Sequence, residues 1–199
     1  MAEKPSLVII EDHPVMREGL ASYFCGTGRW QVTGTASSLE EAKRTLSSIS
    51  TDLVLLDIQL EDGWGLDIIP WLKKLELNPV LAVYSAYDDY AHISAALGMG
   101  VRAYVCKRQN EYKLEEALLK ALNRETSIDN SIQKKMNYVA DLKSLLTTRE
   151  AEIFNLVKKG LPNKEIADNL NISHRTVENI LSCIYDKTGI KTRLELQKL

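Results

Sequence analysis

Leu53-Val-Leu-Leu-Asp-Ile-Gln-Leu-Glu-Asp-Gly-Trp-Gly65 decides how the first part of the chain folds. A short, unbroken apolar run reads as a strand buried on both faces, and it stops at Asp57, where acidic and glycine-rich residues suit a loop. Asp57 therefore stands at the C-terminal end of a strand. In an open parallel α/β sheet that edge is where ligands bind, because loops from several strands converge there while helices cover the faces. Taken alone, such an aspartate is more simply a loop acid that ends a strand. Its neighbours along the chain reverse that reading.

Upstream, Ser6-Leu-Val-Ile-Ile10 is a second buried-strand run ending in Glu11-Asp12, and Pro14 fits the first turn of a helix carrying Met16, Leu20, Tyr23 and Phe24. The alternation from Trp30 to Thr35 reads as another strand, and Ser37-Ser-Leu-Glu40 as a capping-box start for a helix through Leu46 and Ile49. Downstream, Ile68, Ile69, Leu72 and Leu75 mark a helix from about Gly65, with Pro70 leaving either its start or its continuity open. Val80-Leu-Ala-Val-Tyr84 is a strand ending at Ser85, followed by a helix around Ile93 and Leu97. Val101-Arg-Ala-Tyr-Val-Cys106 ends at Lys107, and Leu114, Ala117, Leu118, Ala121 and Leu122 have the spacing of an amphipathic helix.

Five strand–helix alternations predict a five-stranded parallel sheet with helices on both faces. Its strand ends would bring together Glu11, Asp12, Asp57, Ser85 and Lys107. Hard oxygen ligands grouped in this way suit Mg²⁺, and the lysine is a point charge for a phosphoryl group. Each residue also has a bland reading: solvated loop acids, a helix-capping serine, a surface lysine, and sheet packing for Tyr104. Their occurrence together at four strand ends favours the site.

The arrangement resembles the receiver domain of two-component response regulators over about residues 5–124, and Glu11-Asp-His-Pro-Val-Met-Arg-Glu-Gly-Leu20 looks most like the NarL/FixJ subfamily. The resemblance implies a doubly wound, flavodoxin-like fold in which Asp57 accepts a phosphoryl group from the histidine of a sensor kinase. It implies Mg²⁺ ligation by Asp12, Asp57 and the backbone carbonyl of Gln59, with Glu11 acting mainly through a bound water. Lys107 would hold a phosphate oxygen, Ser85 would turn its hydroxyl to the phosphoryl group, and Tyr104 would change rotamer as the readout. The family usually has proline where this chain has Glu61, which adds negative charge beside the site.

The polar stretch 123–144 marks a boundary, giving expected domains at 1–124 and 145–199 joined by a linker at 125–144; Met136, Tyr138, Val139 and Leu142 leave room there for a turn or two of helix. Beyond it, Thr147-Thr-Arg-Glu150 is a capping box opening one helix that stops at Gly160, Pro162-Asn163 starts a second, and Ser173 caps a third after the tight turn at Asn171-Ile172. Helix, short turn, helix is the helix-turn-helix unit of a small all-α domain. With Gly160-Leu-Pro-Asn-Lys-Glu-Ile-Ala-Asp-Asn-Leu-Asn-Ile-Ser173, Thr176-Val-Glu-Asn179 and Lys187-Thr-Gly-Ile190, this part is similar to the LuxR-type DNA-binding domain. The resemblance implies that the helix from Ser173 enters the major groove of double-stranded DNA. Asn163, Lys164, Ser173, His174, Arg175, Thr176, Glu178, Asn179, Ser182 and Lys187 are the contact candidates, some positioning the domain on phosphates and some reading bases. Glu178 and Ile180 stand where family members commonly carry lysine and histidine.

The remaining features fit this reading. The 199 residues suit two small domains, no apolar run is long enough to cross a bilayer, and no signal-peptide pattern opens the chain, so a cytoplasmic protein without membrane contact is expected. Residues 1–124 carry 13 basic and 17 acidic side chains and residues 125–199 carry 12 and 10, an asymmetry in keeping with a cation site first and a polyanion partner second. Cys25, Cys106 and Cys183 have no disulfide or zinc spacing and read as core thiols. There is neither a glycine-rich phosphate loop nor a nucleophile–base pair apart from the acidic cluster, so an enzyme acting on small molecules is disfavoured. The whole reads as a transcription factor in which phosphorylation drives a homodimer onto two DNA half-sites, the final helix with Leu194, Leu196 and Leu199 giving a short dimer interface. The rival is a module whose output is a protein partner, for which Glu178 speaks.

Overall fold

The computed structural model describes residues 3–197 and 199, the side chains of Ser131 and Lys135 excepted. The chain divides into two compact units, 1–129 and 130–199. In the first unit the elements run β1 (Ser6–Ile10), α1 (Pro14–Gly26), β2 (Gln31–Ala36), α2 (Leu39–Ser48), β3 (Leu53–Leu56), β4 (Gln59–Leu60), β5 (Gly63–Trp64), α3 (Ile68–Lys74), β6 (Val80–Ser85), α4 (Tyr90–Gly98), β7 (Ala103–Cys106), α5 (Glu111–Leu122) and β8 (Ser127–Ile128). The sheet order is β2-β1-β3-β6-β7-β8, every pair parallel.

The apolar runs become central strands because both of their faces are covered. Leu7, Ile9, Leu53, Leu55, Ala82, Tyr84, Ala103 and Val105 share one core with Leu20 and Phe24 of α1 and Leu114 and Leu118 of α5. The alternate residues Val8, Ile10, Val54 and Leu56 are also fully buried, on the opposite face. Chain order reverses between β1 and β3, so their C-terminal ends open the crevice in which such sheets bind ligands.

The sheet has a sixth strand beyond the five expected. Ser127–Ile128 lies in the stretch read as linker, where a single apolar residue gives no periodicity; its place is fixed by backbone bonds from Ser127 N to the Arg102 carbonyl at 2.8 Å and from Asp129 N to the Tyr104 carbonyl at 3.3 Å. The rest of the expected connector is a fifteen-residue helix, α6 (Asn130–Ser144). Pro70 is the third residue of α3, after a 3-10 turn at Gly65–Asp67, where its missing N–H would have had no intrahelical partner. The cap of α2 is Ser38 rather than Ser37: its side chain accepts from Glu41 N, while Glu41 bonds both the N–H and the hydroxyl of Ser37. Cys106 is buried as expected, but Cys25 and Cys183 are exposed, since the inward positions beside them belong to Phe24 and Ile184.

In the second unit α6 is followed by α7 (Thr148–Lys158), α8 (Asn163–Leu170), α9 (His174–Thr188) and α10 (Arg193–Gln197). Their shared core contains Leu142, Ile153, Phe154, Val157, Ile166, Val177, Leu181, Ile184 and Leu196. Thr147 and Glu150 form the reciprocal capping box at the start of α7. Asn171 ends α8 in the left-handed region, with φ of 50°. Ser173 caps α9, and Gly189 ends it at a φ of 71°, a conformation glycine adopts without strain. Among the described residues no helix is long and apolar enough to cross a membrane.

Candidate functional site

Parallel pairing carries each chain one residue past its strand and delivers the polar residues to one edge. Glu11 N bonds the Ala36 carbonyl, Asp57 N bonds the Ile10 carbonyl at 2.9 Å, and Lys107 N bonds the Ser85 carbonyl at 2.8 Å. The Lys107 ammonium reaches Asp57 Oδ2 at 2.6 Å and Glu11 Oε2 at 2.7 Å. Both carboxylates are buried, with only 6% and 2% of the side chain exposed. Burial by itself would lower the lysine pKa, but the hydrogen bonds to Asp57 and Glu11 outweigh it and hold the ammonium above its ordinary value. One cation thus ties together the ends of β1, β3 and β7.

Asp12 completes the acidic group. Ligand atoms of Glu11, Asp12 and His13 lie within 4.8 Å of one another. His13, the exposed residue before α1, places Nδ1 2.7 Å from Asp12 Oδ1, and that hydrogen bond raises its pKa. Arg17 Nη1 donates to the carbonyls of Glu11 and Asp12 at 2.7 and 3.2 Å and so fixes the turn from β1 into α1. The donor set is hard oxygen next to a fixed ammonium, the chemistry that suits Mg²⁺ and a phosphoryl anion.

The loop after Asp57 is a small antiparallel hairpin of β4 and β5, pairing Gln59 with Trp64. Gly65 N donates to the Ile58 carbonyl at 2.6 Å, and a Cβ on Gly65 would lie 2.0 Å from the Asp57 carbonyl oxygen, so only glycine permits this close return. Asp62 at the hairpin turn accepts from Leu39 N at 2.8 Å and Glu40 N at 3.1 Å, an added cap on α2, while Glu61 is exposed. Ser85 is fully buried on β6 between β3 and β7, its hydroxyl 3.4 Å from Tyr87 N. Tyr104 is fully buried as well, its hydroxyl donating to the Tyr87 carbonyl at 2.8 Å, and burial pushes its phenol pKa well up.

In the second unit Lys164, Ser173, His174, Arg175, Glu178, Asn179, Ser182 and Lys187 are exposed, whereas Asn163 and Thr176 are half-buried. Arg175, Asn179 and Ser182 follow one another at helical spacing on a face of α9 opposite buried Val177, Leu181 and Ile184. Several candidates already have partners. Ser173 and Thr176 pair through their hydroxyls at 2.7 Å, Asn163 Oδ1 accepts from Arg193 Nη1 at 2.7 Å, and Lys187 bonds Glu150 at 2.7 Å. His174 and Glu178 lie 3.5 Å apart along the helix.

Two family models match most of the chain. Residues 7–119 match the response regulator receiver domain, and residues 144–199 match the bacterial regulatory proteins of the luxR family. The chain is a two-component response regulator. It joins a receiver to a LuxR-type DNA-binding domain that regulates transcription, and it belongs to the NarL/FixJ group rather than to catalytic enzymes. The response regulator protein VraR of Staphylococcus saprophyticus is 28% identical over 193 residues, covering 95% of this chain and 92% of that protein; VraR of Staphylococcus aureus is 29% identical over 194 residues with the same coverage. RcsB from Salmonella enterica serovar Typhimurium, solved on promoter P1flhDC in the presence of phosphomimetic BeF3-, has the same folds at a TM-score of 0.73 and 20% identity, over 98% of this chain and 97% of that one.

Four side chains that organise this response regulator were not among the expected site residues. Arg17 holds the β1–α1 turn, and Tyr87 links the hairpin to the β6–α4 loop through a 2.6 Å bond to Gln59 Oε1. Arg193 braces the start of α8, donating to the carbonyl of Leu161 as well as to Asn163. Glu115, almost fully buried on α5, accepts from the Trp30 indole at 2.9 Å, pairs with Arg29 and lies 3.5 Å from the Tyr23 hydroxyl. Its place one residue after inward Leu114 was the available signal, because a charge on the apolar face of a helix calls for partners.

Proposed function

We propose that this response regulator is phosphorylated on Asp57 by a sensor histidine kinase and that the modification controls dimerisation and sequence-specific binding to double-stranded DNA. The observation that carries the reading is the Lys107 ammonium shared by two buried carboxylates at the strand ends. In the transfer, an Asp57 carboxylate oxygen forms the new P–O bond as the P–N bond to the kinase histidine breaks, and the leaving imidazole keeps the electron pair and takes a proton. Asp57 is a nucleophile as the carboxylate, so no general base is needed. Asp12, Asp57 and the Gln59 backbone carbonyl would hold Mg²⁺, with Glu11 acting through water; when bound, the ion neutralises charge on the phosphoryl oxygens. Lys107 would leave its carboxylate partners to hold a phosphoryl oxygen, Ser85 would turn its hydroxyl inward, and Tyr104 would report the change by its rotamer.

The output rests with α8 and α9. Arg175, Glu178, Asn179 and Ser182 face outward for base edges, while Lys164 and the capped start of α9 suit backbone phosphates; His174, Thr176, Asn163 and Lys187 act around them, Lys187 after exchanging Glu150 for phosphate. RcsB dimers have been solved on DNA, a precedent for this pairing of folds. Residues 1–124 carry the receiver, whose sheet β8 extends to residue 128, and residues 145–199 carry the DNA-binding domain within the unit 130–199; the protein works in the cytoplasm. Incubation with acetyl phosphate and Mg²⁺ is expected to give a retarded band on a phosphate-affinity gel that Asp57→Asn abolishes. A band persisting in that variant would move the acceptor elsewhere.

A further inference from the structure

Tyr87 contacts Gln59, Ser85 and Tyr104 around the receiver site. Its hydroxyl donates to Gln59 Oε1 at 2.6 Å, its carbonyl accepts the Tyr104 hydroxyl at 2.8 Å, and its N–H faces the Ser85 hydroxyl. Its ring is held from two further sides, with centroids 5.8 Å from Trp64 and 4.6 Å from His92. Gln59 and Trp64 are one of the two residue pairs of the hairpin that begins two residues after Asp57. That hairpin is closed tightly onto the Asp57 backbone at Gly65. A change in order at Asp57 therefore reaches the Tyr87 ring through a short, stiff piece of chain.

We propose that Gln59 and Tyr87 form a second line from the phosphoacceptor loop to Tyr104, separate from Ser85: the hairpin fixes Tyr87, and Tyr87 presents the carbonyl that keeps Tyr104 buried. The proposal rests on Asp57 being the acceptor. A ligand that orders the hairpin favours the buried tyrosine, and by reciprocity a buried tyrosine favours the ligand. Tyr87 acts through Gln59 and Tyr104 and is a positioning residue.

The test uses the full chain labelled with 3-fluorotyrosine, reading the buried-to-exposed ratio of Tyr104 by ¹⁹F NMR, with the resonance assigned through Tyr104→Phe. Without metal, Tyr87→Phe is expected to lower the ratio about fivefold, the effect of one net hydrogen bond. Gln59→Ala should do the same, and the double variant no more than either. With MgCl₂ and BeF₃⁻, Ser85→Ala should keep part of the wild-type shift toward burial, and Ser85→Ala combined with Tyr87→Phe should lose it. An unchanged ratio in metal-free Tyr87→Phe, additive effects of the two hairpin-side variants, or a shift abolished by Ser85→Ala alone would each overturn the proposal. The bound BeF₃⁻ resonance separates the two levels: its absence from wild type, or its persistence in Asp57→Asn, counts against the acceptor assignment, while the metal-free comparison still decides the Gln59–Tyr87 link.

Discussion

Replacing Lys107 with methionine removes the shared ammonium and keeps most of the apolar stem. It leaves Glu11 and Asp57, 2% and 6% exposed, facing each other without a counter-charge. Breaking a buried ion pair by deleting one partner costs about 3–5 kcal/mol, and the 15% exposure of Lys107 lets water reach the gap, so about 2–4 kcal/mol is expected here. For a domain of this size that lowers the midpoint of thermal unfolding by roughly 10 °C. A divalent cation replaces the missing charge, so saturating Mg²⁺ should recover most of the loss and raise the midpoint of Lys107→Met by several times the increment seen in wild type. Removing one carboxylate as well, in Lys107→Met with Asp57→Asn, should recover stability without metal. Tryptophan fluorescence follows this unit selectively in the full chain, because Trp30, Trp64 and Trp71 are its three tryptophans. Equal Mg²⁺ increments in both proteins, or no loss without metal, would refute the assignment of Lys107 as the counter-ion that the metal relieves.

Gly65→Ala drives a Cβ into the Asp57 carbonyl and should destabilise the receiver by at least about 1–3 kcal/mol and slow phosphorylation; denaturant melting and acetyl phosphate labelling check both. Glu115→Ala leaves the buried Trp30 indole N–H without its acceptor while Arg29, 56% exposed, stays solvated, and should cost about 1–3 kcal/mol by the same fluorescence melt, with Glu115→Gln less harmful because it still accepts from the indole. The Glu150 carboxyl is held below its ordinary 4.5 by Lys187 and by the cap on α7. Its folded pKa lies beneath the unfolded one, so its stabilisation is fully present above about 4.5 and disappears as pH falls through the lower folded value. Amide exchange in α7 and α9 at pH 7 and pH 4 should show acid loosening that is smaller in Glu150→Gln; equal loosening would remove Glu150 as its source. Lys164→Ala should weaken binding on every promoter fragment alike and reduce the salt slope by about 1, as expected for one phosphate contact.

The parts of this fold legible beforehand are those in which a run of side chains has a single physical use. Leu53-Val-Leu-Leu56 has nothing polar to show solvent, so it had to be covered on both faces, and the polar residue ending each such run had to arrive at the same sheet edge. Glu11, Asp57, Ser85 and Lys107 follow from that argument. The hairpin at Gln59–Trp64 was hidden because two-residue strands carry no period, and it exists through backbone closure at Gly65. Ser127–Ile128 was hidden for the same reason, its pairing being supplied by the exposed edge of β7. In α6 the polar composition left room for only a turn or two of helix and masked the full fifteen residues, whose Leu142 joins the second core. Side-chain bridges over long sequence separation, such as Tyr87 to Gln59 or Glu115 to Trp30, depend on tertiary placement that periodicity does not encode.

The two-residue strand beside β7 also bears on how copies of this protein can associate. A long bare margin on a sheet is a template onto which another polypeptide zips its own backbone, a common origin of fibres and exchanged segments. On this side the margin is Ser127–Ile128, after which the chain turns into α6. So short a rim offers an incoming strand few main-chain partners. Any self-association along that flank would fall to helices and side-chain patches rather than to strand pairing.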